Sequence, residues 1–323
     1  MAERCSIGFD LGGTKMFAVV FDDNFKVLGS ARVPTEGHRG PKDGMKRIAA
    51  TAQDAMKDAG IKAKDIRGFG IGCPGVVDFE KGILRRAVNI GWEDVKVASY
   101  LGEKLGVDVT VLNDVDAGTY AEYAMGAGKG ARSLLGIFPG TGVGGGFVYE
   151  GKILRGRAAS CMEIGNVRLA GTTLEGAMHE PVRLEALAGR LGVAAACATE
   201  AARGGAPSIM EKAGTDIKAI KSGTISRAID GGEDAIARIM ERSVHYLGLG
   251  AAAVVDLLAP DTIVLGGGLP EKMPDLYTKG LKKSIEAHAQ PALAKGVKVV
   301  IAELGDYAVV KGAASYAINH VKR

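Results

Sequence analysis

The sequence of 323 residues has few aromatic residues, few cysteines and little excess of either charge. Aromatic residues make up 5% of the chain, with a single tryptophan. The 41 basic and 37 acidic residues give a net charge of +4, which is too small and too dispersed to indicate a nucleic-acid-binding surface. Cys5, Cys73, Cys161 and Cys197 form no CxxC pair and fit neither a disulfide framework nor a zinc site. We therefore predict reduced thiols and no nucleic-acid partner.

A long apolar run is also lacking. No apolar core precedes the first predicted strand, which argues against a signal peptide. The most apolar later stretch, residues 247–258, is too short to span a bilayer and contains Asp256. These absences predict no membrane partner and a cytoplasmic location. The hydrophobic content of 47% is that of an ordinary globular protein.

Glycine, by contrast, is abundant, with 48 residues gathered in loop clusters. Two clusters resemble each other: residues 7–15 are IGFDLGGTK, and residues 136–146 are GIFPGTGVGGG. In each, a short apolar run breaks into glycines and a threonine before a second apolar run, which predicts a strand, a tight turn and a strand. Glycines let backbone N–H groups approach an anion closely, and the threonine adds a hydroxyl. The pair therefore predicts two loops that hold the phosphates of a nucleotide.

The resemblance between the two halves extends beyond the glycines. Residues 6–28 and 134–154 both follow the order strand, glycine turn, strand, polar turn, strand, which indicates an internal repeat. Strands and helices then alternate in both halves, so we predict two α/β domains that face a cleft. We place the smaller domain at residues 1–113 plus about 308–323, and the larger at residues 114–307.

The loops that carry polar residues all follow predicted strands. They are residues 10–15, Asn113 with Asp114, residues 140–142 and residues 266–268. Ligands of open α/β sheets bind beyond the strand ends, so we expect these loops to line one cleft. Asp114, after a strand and at the start of a helix, is a candidate general base. Its structural alternative is a helix N-cap.

Six ordered segments resemble those of the ROK family of sugar kinases and sugar-responsive repressors, within the hexokinase and actin-like superfamily. They are DLGGTK at 10–15, GCPGVVD at 72–78, NIGW at 89–92, the helix start at 113–121, GTGVGGG at 140–146 and PDTIVLGGG at 260–268. The resemblance covers nearly the whole chain. It implies two actin-like, ribonuclease H-like α/β domains, each a mixed sheet with helices on both faces, around a cleft.

One family motif is missing. The family signature ExGH is Glu163-Ile-Gly-Asn166 here, and no cysteine of the zinc motif that should follow lies between Asn166 and Glu185. Asparagine cannot replace imidazole as a zinc ligand and His179 alone cannot build a site, so we predict no zinc. The segment LEALAG resembles the one after that motif and places the last sugar-binding glutamate of the family at Glu185, with Glu180 a nearby alternative.

The resemblance implies that the chain phosphorylates a hexose at its 6-hydroxyl with Mg-ATP. Asp114 would be the general base, and Asp10 the carboxylate on the magnesium side, acting through water. The nucleotide would contact Asp10, Gly12, Gly13, Thr14, Lys15, Gly140, Thr141, Gly142, Gly266, Gly267 and Gly268. The sugar would contact Gly75, Asn89, Asn113, Asp114, Glu163, Asn166 and Glu185.

Several alternatives remain open at the level of the sequence. Glucose is the first candidate substrate, followed by an N-acetylhexosamine or mannose, and polyphosphate is an alternative to ATP. The loss of the zinc motif allows a non-catalytic protein that binds sugar or nucleotide. A repressor is disfavoured, because Asp10 leaves no room before it for a DNA-binding domain. The resemblance also implies a homodimer or homotetramer.

Overall fold

The structure is a computed structural model that describes residues 5–157, 159–169 and 182–320. The chain divides into two compact units. Unit 1 consists of Met1–Gly130, Gly146–Cys161 and Leu304–Arg323, and unit 2 of Ala131–Gly145 and Met162–Glu303. The domain boundary that the sequence predicts at residue 114 stays a prediction.

The first part of the chain alternates strands and helices. Its elements are β1 (Cys5–Leu11), β2 (Lys15–Phe21), β3 (Val27–Pro34), α1 (Pro41–Asp58), β4 (Ile66–Cys73), β5 (Val76–Asp78), β6 (Ile83–Ala87), β7 (Trp92–Val95), α2 (Val97–Leu105), β8 (Val109–Asn113) and α3 (Asp114–Met125).

The later part contains more helix. Its elements are β9 (Ser133–Pro139), β10 (Val143–Tyr149), β11 (Lys152–Ile153), β12 (Arg168–Leu169), β13 (Val182–Arg183), α4 (Leu184–Ala188), α5 (Arg190–Ala202), α6 (Pro207–Ala213), α7 (Ser222–Asp230), α8 (Asp234–Leu258), β14 (Thr262–Leu265), α9 (Gly268–Lys272), α10 (Pro274–His288), α11 (Pro291–Ala294), β15 (Lys298–Ile301) and α12 (Ala308–Asn319). None of the described helices is both long and apolar enough to cross a membrane.

Two five-stranded sheets repeat one arrangement. The first has the order β3-β2-β1-β4-β8, and the second β11-β10-β9-β14-β15. In the first sheet β1 pairs antiparallel with β2 and parallel with β4, and in the second β14 runs parallel to both β9 and β15. The matching order is the structural counterpart of the repeat seen in the sequence, and it confirms the predicted α/β class with mixed sheets.

The core of unit 1 lies on both faces of its large sheet. On one face, α1 buries Met45, Ile48 and Ala52 in a cluster that also contains Phe9 and Trp92. Trp92 is 1% exposed and its Nε1 donates a hydrogen bond to the carbonyl of Gly37 at 3.3 Å, so the single tryptophan is a core residue. Apolar burial of this extent is the main stabilising contribution to such a unit.

On the other face of the sheet, α12 packs directly against the backbone of β1 and β4. A Cβ atom at Gly8 would overlap the carbonyl of Val310, and one at Gly70 would overlap that of Ala313. These glycines are therefore required by the close approach of the helix. Because α12 also packs on α3, it fixes the helix that begins at Asp114 relative to the ends of β1 and β4.

Candidate active site

The first glycine loop is a tight turn between β1 and β2 in unit 1. The N–H of Gly12 donates to the carbonyl of Lys15 at 3.0 Å and closes the turn. Thr35 is fully buried: its N–H donates to the carbonyl of Thr14 at 2.9 Å, and its Oγ1 donates to that of Gly12 at 2.6 Å. These bonds turn two loop carbonyls towards the protein, while Gly13, Thr14 and Lys15 are exposed to a ligand.

Two carboxylates lie beside this loop. Asp10 is opposite Gly72 in the parallel pairing of β1 with β4, and a Cβ at Gly72 would lie 3.3 Å from the Cα of Asp114. Gly72 therefore lies between the backbones of the two aspartates, and a Cβ there would first overlap Cγ1 of Val309 on α12, at 2.5 Å. Each aspartate is partly buried. The structure thus brings together the candidate base and the candidate carboxylate on the magnesium side.

The pKa of Asp10 is raised from 3.8 to about 7, and desolvation by burial is the largest cause. The negative charges of Asp114 and Asp306 add to the rise, whereas the positive charge of Arg32 opposes it. Cys73, fully buried, has its thiol pKa raised by burial and by the same two aspartates. Carboxylates that repel each other in this way are stabilised by a cation, and oxygen ligands are those that Mg²⁺ prefers. The two side chains supply ligands of the type that a magnesium ion takes.

Asn113 is the N-cap of α3, so the alternative of an N-capping Asp114 is wrong. Its Oδ1 accepts hydrogen bonds from the N–H groups of Val115 at 2.8 Å and Asp116 at 3.1 Å. Its Nδ2 donates to the carbonyl of Gly75 at 3.0 Å. Asn113 thereby connects the Gly75 turn to the start of α3, and one N–H of its amide remains for a sugar hydroxyl.

The other predicted sugar residues of unit 1 lie near these loops. Gly75 has a φ of +83°, and a side chain there would overlap the carbonyl of Arg86, so glycine is required. Asn89 is exposed, and a Cβ at Gly13 would lie 3.2 Å from its Nδ2. The structure therefore places Asn89 beside the first glycine loop.

The second glycine loop, in unit 2, is supported by a helix instead of a threonine. The N–H groups of Arg190 and Leu191, the first residues of α5, donate to the carbonyls of Gly140 at 2.9 Å and Thr141 at 3.3 Å. Both carbonyls are thus directed to the protein, which favours an anion on the other side of the loop.

The third glycine loop adjoins the second. A Cβ at Gly266 would lie 2.5 Å from Cε1 of Phe138, and Gly267, with a φ of +94°, would bring one to 2.9 Å from the carbonyl of Pro139. Phe138 and Pro139 end β9 and lead directly into Gly140. Gly268 begins α9. The structure therefore brings together the two loops of unit 2 that the sequence assigns to the nucleotide.

The predicted sugar residues of unit 2 also lie together. Asn166 donates from Nδ2 to Oε2 of Glu163 at 3.3 Å, and both side chains are exposed. A Cβ at Gly165, between them in the chain, would lie 3.3 Å from the Cβ of Glu185. Glu185 faces Arg183, with 3.7 Å between Oε1 and Nη1.

The zinc prediction concerns a region that the structure does not describe. His179 and Glu180 fall within residues 170–181, outside the described residues. In the part of the chain that is described, no group of three or more histidine, cysteine or acidic side chains could hold a metal ion. The absence of zinc stays a prediction.

Sequence reasoning missed two residues near Asp10. Thr35, which holds the first loop, follows β3 without a motif of its own. Phe17 on β2 pairs with Asp10 of β1 on one side and with Arg32 of β3 on the other. The guanidinium of Arg32 lies 4.0 Å from the centre of the Phe17 ring. It also pairs with Asp306 at 3.2 Å. The strand register, once known, identifies Arg32, because cross-strand neighbours share one face of a sheet.

Comparisons with known proteins agree with this arrangement. The model of the ROK family matches residues 6–320. A glucokinase from Halalkalibacterium halodurans is 31% identical over 320 residues, which are 97% of this chain and 94% of that protein. An N-acetyl-D-glucosamine kinase from Vibrio cholerae is 30% identical over 309 residues, covering 95% of this chain and 97% of the relative.

Solved structures of ROK family proteins also match nearly the whole chain. A ROK family glucokinase from Streptomyces griseus, in complex with glucose and AMPPNP, has a TM-score of 0.81 and 26% identity, over 98% of this chain and 100% of its own. A ROK hexokinase from Thermus thermophilus has a TM-score of 0.76 and 28% identity, over 97% of each chain. These similarities confirm the actin-like fold that the motifs imply.

Proposed function

The chain belongs to the ROK family and is a sugar kinase, and we propose that it transfers the terminal phosphoryl group of ATP to the 6-hydroxyl of a hexose, with glucose as the first candidate. The observation that carries this proposal is the pair of carboxylates, Asp10 and Asp114, beside the first glycine loop. Phosphoryl transfer requires positioning, neutralisation of charge and an acceptor for the alcohol proton, and this pair offers the last two.

In the proposed mechanism Asp114 accepts the proton of the attacking hydroxyl. Its backbone starts α3, where Asn113 is the N-cap, and the Oδ1 of Asp114 accepts a hydrogen bond from the N–H of Val115 at 3.0 Å, which holds the carboxylate at the start of the helix. Partial burial limits the hydration of the carboxylate. A positioned base of this kind contributes a factor of about 10²–10⁴ to the rate.

Asp10, through water, would hold Mg²⁺ on the phosphate side. When bound, the ion would neutralise negative charge on the phosphates and on the two aspartates. The protein contributes the two glycine loops, whose carbonyls are turned inwards by Thr35 and by α5. Contacts to the phosphates would come from Gly12, Gly13, Thr14 and Lys15 in the first loop and from Gly140, Thr141 and Gly142 in the second. Gly266, Gly267 and Gly268 would allow the adenosine to lie against the backbone.

The sugar would be held by carboxylates, amides and a tight turn. Glu163 and Glu185 accept hydrogen bonds from hydroxyls, and Asn89 and Asn113 both donate and accept. Asn166 would position Glu163 through their hydrogen bond, a role that does not require the imidazole of the family signature. Gly75 would complete the wall through the backbone of its turn, whose carbonyl accepts a hydrogen bond from Asn113.

A second candidate substrate is an N-acetylhexosamine. The observation that favours it is the 30% identity with an N-acetyl-D-glucosamine kinase over nearly the full length of both proteins. The two substrates differ at the 2-position of the ring, so a direct comparison of their turnover separates them.

The test is an ATP-dependent phosphorylation assay on a hexose panel, with ADP release as the readout and Asp114→Ala alongside. We expect turnover on one sugar and a loss of about 10²–10⁴-fold in kcat for the variant. Asp54→Asn, an exposed carboxylate of α1, is the matched control and should retain kcat. Near-normal turnover by a folded Asp114→Ala would overturn the assignment of the base. A chain that turns over no sugar but binds ATP would favour a non-catalytic protein.

A further inference from the structure

Glu185, one of the proposed sugar ligands, also lies against the second glycine loop. A Cβ atom at Gly142 would overlap Oε2 of Glu185, so the carboxylate occupies the space beside the backbone of that residue. Glu185 is partly exposed. It is on α4, whose first turn contains it, and the loop that it contacts is proposed to hold the phosphates of ATP.

The contact is part of a continuous packing surface within unit 2. The N–H of Gly189 donates to the carbonyl of Glu185 at 2.9 Å, and a Cβ at Gly189 would lie 2.9 Å from the Cα of Gly142. The next two residues, Arg190 and Leu191, bind the carbonyls of Gly140 and Thr141. The backbone of residues 189–191 therefore fixes the loop, and the Glu185 side chain is a charged group held at its edge.

A carboxylate at this position repels a nucleotide. Two like charges several ångströms apart in a partly hydrated site disfavour binding by about tenfold or less. Arg183, at 3.7 Å, offsets only part of this charge because its side chain is 55% exposed. Sugar hydroxyls that donate to the carboxylate would compete for its lone pairs and reduce its effect on the loop.

We propose that Glu185 couples sugar binding to nucleotide binding. Without sugar its carboxylate lies beside Gly142 and weakens the binding of ATP, and bound sugar reduces this penalty. The inference rests on the proposed function, because it takes Glu185 as a sugar ligand and the loop as a phosphate site. It makes sugar first and nucleotide second the favoured order, which limits the hydrolysis of ATP when no sugar is present. Coupling is reciprocal, so AMPPNP should tighten sugar binding by the same factor.

The experiment measures the dissociation constant of Mg-AMPPNP by calorimetry, with and without the hexose that turns over fastest in the panel. In the wild type we expect sugar to tighten AMPPNP binding about tenfold. Glu185→Gln should tighten sugar-free AMPPNP binding by a similar factor and bring the ratio of the two constants close to one. Arg183→Gln should act in the opposite direction and weaken sugar-free binding severalfold, and it leaves the Glu185–Gly142 contact in place.

Glu163→Gln is the matched control. It removes a carboxylate from the same group of proposed sugar ligands, but its hydrogen-bond partner is Asn166 and not the glycine loop. It should weaken sugar binding and leave sugar-free AMPPNP binding unchanged. Equal tightening by Glu163→Gln and Glu185→Gln would overturn the inference, because any loss of negative charge would then suffice. An unchanged constant in folded Glu185→Gln and Arg183→Gln would overturn it too. Absence of turnover on any hexose would instead contradict the proposed function.

Discussion

The two glycine loops, alike in sequence, are held in place by different means. The loop at Gly12–Lys15 closes on itself and is held by one buried threonine, Thr35. The loop at Gly140–Gly142 depends on α5, whose first N–H groups bind its carbonyls. In both cases the carbonyls are turned towards the protein, which is the common requirement of a phosphate loop.

The charged side chains beside the loops also differ. The first loop lies next to Asp10 and Asp114, a pair that fits a cation. The second lies next to Glu185, a proposed sugar ligand. Both loops thus lie beside a proposed sugar ligand, Asn89 at the first and Glu185 at the second, but only the first also lies beside the proposed base and the carboxylate on the magnesium side. Substitutions at one loop should therefore not reproduce the effects of the same substitutions at the other.

After that of Asp114→Ala, the largest expected effect is that of Asp10→Asn. Loss of a carboxylate that acts through a bound water should lower kcat by about 10–100-fold. The same substitution should raise the free energy of unfolding of the protein when neither metal nor nucleotide is bound. The raised pKa of about 7 means that folding favours the protonated acid. The stability that Asp10 contributes is therefore complete below about pH 4 and is lost as the pH rises to 7.

At pH 8 we expect the Asp10→Asn variant to be more stable by about 1–2 kcal/mol, less than the full shift would give because the carboxylate is partly exposed. Thermal unfolding at pH 5 and pH 8 in the presence of EDTA measures this, and the advantage should shrink at the lower pH. Asp54→Asn is the control for the loss of one negative charge. A variant less stable than the wild type at both pH values would contradict the account.

The next prediction compares a glycine-to-alanine substitution in the second loop with one in the first. Gly142→Ala places a methyl group against Glu185, where the space is filled, and such overpacking costs about 1–3 kcal/mol. We expect the KM for ATP to rise about tenfold. Gly13→Ala meets only the flexible amide of Asn89, at 3.2 Å. It should change the KM for ATP by less and should raise the KM for sugar, since Asn89 is a proposed sugar ligand. Steady-state kinetics with each substrate varied in turn distinguish the two, and equal effects on both constants would remove the distinction.

The sequence predicted the two loops because glycine and threonine beside apolar runs have few other uses. The sequence also carries a signal for α1, since its buried residues Met45, Ile48 and Ala52 recur at helical spacing. It did not predict the small sheet of β5, β6 and β7, because these strands are short. In strands of three to five residues, the alternation of apolar and polar residues is too brief to predict a strand.

The supports of the site were harder to predict than its motifs. Arg32 lies in β3 and Thr35 directly after it, and neither belongs to a motif; only the pairing of β1, β2 and β3 brings them to Asp10 and to the loop. Glu185 was predicted as a sugar ligand, but its contact with Gly142 depends on how α4 and α5 pack on the loop. Contacts of this kind join residues that are distant in the chain, so local sequence patterns do not predict them.

The smallest effect concerns the support of the first loop. Thr35→Val keeps the shape of the side chain and removes the hydroxyl that binds the carbonyl of Gly12 at 2.6 Å in a fully buried position. Loss of such a bond costs about 1–2 kcal/mol. Thr51 offers a matched control: it is 2% exposed and its hydroxyl donates to the carbonyl of Arg47 at 2.8 Å within α1. Urea denaturation of both valine variants measures the cost of each hydroxyl.

The kinetic difference between these variants decides whether Thr35 matters for function as well as stability. Thr35→Val leaves the carbonyl of Gly12 without its side-chain donor, so the loop can turn that oxygen towards the phosphates and weaken the binding of ATP. We expect a rise of about two- to fivefold in the KM for ATP, the factor that corresponds to somewhat less than one lost hydrogen bond. Thr51→Val should leave this KM unchanged, because α1 keeps the backbone of residue 47 in its helix. If both variants lose stability but neither changes the KM, the first loop is held by its own turn geometry. The two loops would then differ more in what holds them: the first would need no side-chain support, whereas the second is bound by the N–H groups of α5.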